Sequence, residues 1–242
     1  MQTSNYIYHH GSQALYGYLA CGKQADMLRP AVLVVHDWSG RNDFACQQAD
    51  MLAESGYIGF AVDMYGEGCV GETIEEKQAL MQPLITDRKL LRARIQAALD
   101  AVIAIEGVDK HRIAIMGFCF GGLCALDLAR SGADIVGAIS FHGELNKPQN
   151  LPNQPIKAKI LALHGYNDPM ITPNDVASFC QEMNEVGADW QMNMFGQTEH
   201  AFTNPQAHDK QRGLIYNAQA TRRSFHALTN FLNEVFADQP NV

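Results

Sequence analysis

An α/β fold with a mostly parallel central sheet flanked by helices is what this 242-residue sequence predicts, on three observations. Solid apolar runs of strand length alternate with stretches of helical period, the pattern of parallel strands joined by crossovers. One strand-to-helix junction reads Gly117-Phe118-Cys119-Phe120-Gly121, the arrangement that presents a nucleophile on a sharp turn. The residues just past several strands are His, Asp, Glu or Cys, and open parallel sheets bind ligands at that end.

Taken in order, residues 5–20 alternate apolar and polar around His10-Gly11-Ser12, which predicts an antiparallel hairpin at a sheet edge. Residues 31–35 and 57–62 read as buried strands with a helix over 44–55 between them, hence a parallel pair. A polar, Gly-rich loop over 65–71 leads into a long helical region that Pro83 is expected to interrupt, with 92–105 as its second part. Residues 112–116 form the strand before the sharp turn and 123–129 the helix after it. Strands are expected at 135–141, 158–163 and 189–195, and helices at 173–186 and 213–236, the last burying Leu214, Ala218, Phe225, Leu228, Phe231, Leu232 and Val235 on one face. No linker or low-complexity stretch divides the chain, so one domain spanning 1–242 is expected.

Composition narrows the function. With 18 Lys and Arg against 26 Asp and Glu, the net charge of −8 opposes phosphate backbones and anionic lipid. No basic segment followed by an apolar one opens the chain and no apolar run reaches membrane-spanning length, so a soluble, cytoplasmic protein with neither nucleic acid nor membrane as partner is expected. The six cysteines form no CxxC pair, which argues against a zinc ribbon or a thioredoxin-like motif.

A Gly-x-Cys-x-Gly match is expected by chance roughly 0.04 times at this composition, so its position between a strand and a helix carries weight. The strand ends then supply Asp168 and His200, giving nucleophile, acid and histidine in the order Cys119, Asp168, His200. In that reading Cys119, at a helix N-terminus, attacks a carbonyl to give an acyl-thioester, His200 relays protons and Asp168 fixes the imidazole tautomer. The backbone N–H of Phe120 and that of Trp38 would hold the oxyanion. Tyr65 reads either as a hydrogen-bond donor to substrate or to Asp37, or as packing. Trp38 and Phe202 read as pocket lining or as core, and His142 and His164 as backbone-bonded structural histidines.

The set His36-Asp37-Trp38-Ser39-Gly40, Asp63-Met64-Tyr65, Gly117 to Gly122, His164-Gly165 to Asp168 and Glu199-His200-Ala201-Phe202 resembles the dienelactone hydrolase family across nearly the whole chain. The resemblance implies an α/β-hydrolase fold, a triad of Cys119, His200 and Asp168, and hydrolysis of a small ester or lactone with no cofactor and no metal. It also marks two departures. Asp37 stands where the family carries a glutamate that contacts the resting thiol. Asn204 stands where a family member acting on dienelactone uses an arginine for the substrate carboxylate, which should weaken selection for an anionic substrate. A second family arginine is sought among Arg88, Arg92 and Arg94. Three other readings remain: a metal-dependent hydrolase gathering His36, His142, His164, Asp168 and His200, against which stands the lack of HExxH or HxxEH; a non-catalytic ligand-binding protein on the same fold; and, last, a thiol redox pair of Cys119 with Cys124, whose side chains five residues apart on one helix diverge by about 140°.

Overall fold

The computed structural model describes residues 1–22, 27–152 and 154–237. Its frame is an eight-stranded sheet. Strands β1 (Gln2–His10) and β2 (Gln13–Cys21) form the antiparallel hairpin, turning at Gly11. They are followed by β3 (Arg29–Val35), β4 (Ile58–Val62), β5 (Val108–Phe118), β6 (Gly137–Phe141), β7 (Lys159–Gly165) and β8 (Trp190–Phe195). The spatial order is β1-β2-β4-β3-β5-β6-β7-β8, with β2 antiparallel to β4 and every later pair parallel. The expected architecture is the observed one.

The apolar runs are continuous because the central strands are covered on both faces. On β3, Ala31, Leu33 and Val35 pack into one core layer, with α3 (Arg88–Ile103), α4 (Phe120–Arg130) and α5 (Pro173–Glu185). Val32 and Val34 pack into the other, with α1 (Asp43–Glu54) and α6 (Ala218–Ala237). The period-2 alternation of a strand thus divides one run between two cores. No helix among the described residues is long and apolar enough to cross a membrane.

Two boundaries differ from the sequence expectation. Pro83 does not break the helical region: α2 (Ile74–Thr86) runs through it, and the chain divides at Asp87. The Asp87 carboxylate accepts the N–H groups of Lys89 and Leu90, so it starts α3 at Arg88 as a capping residue does. The last helix begins at Ala218 rather than 213, because 208–215 folds into a two-stranded hairpin, β9 (His208–Asp209) with β10 (Leu214–Ile215), which turns at Gly213 with φ 65°. Asn217 then caps α6 by accepting the N–H groups of Gln219 and Ala220.

Candidate active site

β5 delivers Cys119 to the N-cap of α4 at φ 54°, a left-handed conformation unusual for a side chain with a Cβ. Its flanks show why they are glycine. A Cβ on Gly117 would lie 2.0 Å from the Gly121 carbonyl oxygen, and one on Gly121 would lie 2.2 Å from that of Val35. The turn is closed by backbone alone, with the Cys119 N–H donating to Phe141 O at 2.9 Å and the Cys119 carbonyl accepting from Gly122 and Leu123. Cys119 is half-buried and unpaired. Phe120 is the first residue of α4, where an N–H has no intrahelical acceptor.

β7 and β8 carry the other two groups. The loop after β7 is tied to the loop after β8 by Tyr166 N–H to Phe195 O and Asn167 N–H to Thr198 O, both 2.9 Å. This brings His200 Nδ1 to 2.7 Å from Asp168 Oδ2, in a pair almost sealed from solvent. The other carboxylate oxygen accepts the Met170 N–H at 2.8 Å. Nε2 of His200 has no hydrogen bond of normal geometry among the described residues, so its interaction with the Cys119 thiol is looser than a full bond, as such contacts often are before substrate binds. Burial disfavours the charged ring, but the electrostatic pull of Cys119 and Asp168 and the hydrogen bond that Nδ1–H donates to Asp168 outweigh it. The His200 pKa is pushed up to about 10.

Cys119, Phe120, Trp38, Asp37 and His200 all line one cavity of about 570 Å³. Asp168 stands behind His200, outside it. Two other expected site residues also lie off the cavity wall. The Tyr65 hydroxyl donates to the Trp38 carbonyl at 2.9 Å, so it braces the β3–α1 loop. Phe202 is wholly buried, edge-on to Phe195 and His142. Asp37 Oδ1 accepts the Ser39 N–H at 2.8 Å, shaping the turn that carries Trp38.

Of the remaining polar residues at strand ends, His142 and Glu144 also line the cavity, whereas His36, Asp63 and His164 do not. Asp63 accepts four backbone N–H groups, from Tyr16, Tyr65, Gly66 and Gly68. His36 Nε2 accepts the Met64 N–H and Nδ1 contacts the Asp37 carbonyl, a neutral tautomer that full burial favours by lowering its pKa. His142 bonds a side chain, Thr203 Oγ1 at 2.8 Å, where a backbone partner was expected. His164 lines a separate small groove with Tyr166 and Met194. Among the described residues no three His, Cys, Asp or Glu side chains are grouped as metal ligands would be.

Residues 15–236 match the dienelactone hydrolase family. The chain belongs to that family. A solved dienelactone hydrolase-like promiscuous phosphotriesterase from metagenomic libraries is 33% identical, with a TM-score of 0.90 over 97% of this chain and 98% of that one. A second structure, titled m3DLH, is 34% identical at the same TM-score, over 97% and 98% of the two chains. A protein of Aquifex aeolicus named "Putative carboxymethylenebutenolidase" is 27% identical over 89% of this chain and 91% of its own. As a member of the dienelactone hydrolase family, the chain is an ester or lactone hydrolase.

Within the family pattern, Asn204 does face the cavity, but none of the three candidate arginines does. Arg88 makes a bidentate pair with Asp127, Arg92 donates to Pro152 O, and Arg94 donates to the carbonyls of Met64 and Tyr65. The cations that line the cavity are Lys77 and Arg212, which lie 5.6 and 5.9 Å from the Trp38 ring centroid. They went unread in the sequence because neither sits at a strand end. Lys77 comes from α2 and Arg212 from the turn between β9 and β10, just before the segment that the sequence predicts as the last helix.

Proposed function

We propose that this hydrolase cleaves a small carboxylic ester or lactone through a Cys119, His200 and Asp168 triad, by way of an acyl-thioester. The observation that carries the reading is the buried Asp168–His200 pair, whose imidazole lines the same cavity as a cysteine raised on a helix N-terminus. The Cys119 sulfur, its proton passed to His200 Nε2, attacks the carbonyl carbon, and the displaced π pair becomes an oxyanion that accepts from the N–H groups of Phe120 and Trp38. Collapse breaks the C–O bond, with His200 Nε2–H protonating the departing alkoxide, which stays tethered when the substrate is a lactone. Water then attacks the thioester and passes its proton to His200, and collapse returns the thiolate and releases the acid.

The apolar part of the wall, which includes Phe44, Phe118, Met81 and Met170, suits a compact acyl or alcohol group. The test is a panel of small esters, lactones and thioesters, with and without an anionic group, plus a phosphate triester on account of the metagenomic relative. Cys119→Ala and His200→Ala should each lower turnover of an activated ester by at least about 10³-fold. Activity retained in either variant contradicts the triad. No turnover of any substrate by wild type would favour the non-catalytic reading.

A further inference from the structure

Phe141 and His142, at the exit of β6, touch all three segments that carry the site. The Phe141 carbonyl accepts the Cys119 N–H, and the His142 N–H donates at 2.8 Å to Leu163 O on β7, the strand that leads to Asp168. The third contact is made by a side chain. The His142 ring meets the His200 ring edge-on, with centroids 5.0 Å apart and planes at 63°. His142 is 3% exposed and sits at φ 41°, a conformation that is unfavourable for a non-glycine residue and persists only where the surroundings impose it. Here they do: the amide is fixed on Leu163, Nε2 lies 2.8 Å from Thr203 Oγ1, and Phe202 meets the ring at 5.1 Å and 77°.

His200 needs such a neighbour. Its bond to Asp168 fixes one point of the ring and leaves the tilt about that bond open, whereas proton transfer at Nε2 is sensitive to misplacement of about 1 Å. We propose, resting on the triad reading above, that His142 is a positioning residue for His200, its ring forming the wall against which the imidazole is set and Thr203 holding that wall in place. It serves as a neutral ring. Burial, and then the positive charge on His200, hold it well below the usual histidine range, so no cation stands beside the imidazolium that His200 becomes. The other ionisable groups around the pair are Cys119 and Asp168, with Glu144 on the cavity wall.

Three variants, each checked for native circular dichroism and a cooperative thermal transition, are compared with wild type on one activated ester. His142→Ala should lower kcat about 10–100-fold with KM within about 3-fold. Thr203→Val should lower kcat in the same direction by less. The double variant His142→Phe with Thr203→Val restores a ring without stranding the hydroxyl, and should return kcat to within about 5-fold of wild type. The downfield proton resonance of His200 Nδ1–H should broaden or move in His142→Ala and return in the double variant. A residue that only supports the fold would lower the thermal transition without moving that resonance or separating kcat from KM. Wild-type kcat in folded His142→Ala, an unmoved resonance, or no recovery in the double variant overturns the proposal. Failure of the triad reading shows separately, as activity surviving in Cys119→Ala, and removes this proposal with it.

Discussion

At the scale of single residues, the site is an arrangement of opposed pulls. The imidazole of His200 is buried, which disfavours its charge, yet Cys119 and Asp168 on either side favour that charge more strongly. Asp168→Asn keeps the shape of the acid and removes its charge, so it permits the wrong tautomer at Nδ1. It should lower kcat by less than Cys119→Ala does while leaving KM close to wild type, as steady-state kinetics on one ester will show. An equal or greater loss would mean that Asp168 does more than orient the ring. The sequence singles out these three residues of the proposed triad because each follows a strand of a parallel sheet. Asp63, Tyr65 and Phe202 follow the same pattern, and the structure uses them as a turn organiser, a loop brace and core. Strand-end position marks who can reach the crevice. It does not say which side chains are already spent on backbone partners.

Among the elements, the turn from β5 to α4 has the least tolerance. A methyl group on Gly121 would press on the carbonyl oxygens of Val35 and His36, both backbone atoms of the neighbouring strand end. Gly121→Ala should cost about 2–4 kcal/mol in urea unfolding and most of the activity. Gly196→Ala, where an added Cβ meets nothing within 4 Å, should stay within about 0.5 kcal/mol. Equal stability of the two variants would contradict this account of the elbow. Gly117 was readable because its requirement is local, a clash with Gly121 four residues on, whereas Gly121 is required against the neighbouring strand end. The break at Asp87 was misplaced to Pro83 because a proline signals a lost N–H, while Asp87 acts by supplying an acceptor to the next helix. The β9–β10 hairpin was hidden for a similar reason: its two-residue strands carry no periodicity of their own.

For the whole molecule, four histidines set the stability profile. His36, His142 and His164 are neutral when folded, with pKa values lowered first by burial, so their contribution is present above about 6.5 and is lost as pH falls through their folded values. His200 is the reverse. Raised to about 10, its contribution is complete below about 6.5 and is lost as pH rises toward 10. The urea midpoint should therefore peak near neutrality, and His200→Gln should flatten its fall between pH 7 and 10; an unchanged alkaline slope would contradict the raised His200 pKa. The sheet and its two helical layers were legible as a whole because strands buried on both faces read as unbroken apolar runs, whereas the part of the cavity wall that α2 and the hairpin supply had no such signature. The intact protein also offers the most direct test of the central claim, an acyl group carried on Cys119. Acid quenching during turnover of a slow ester, followed by mass spectrometry of the whole chain and of the peptide containing Cys119, should show one acyl adduct on that sulfur in wild type and none in Cys119→Ala; turnover with no adduct, or an adduct on another residue, would contradict it.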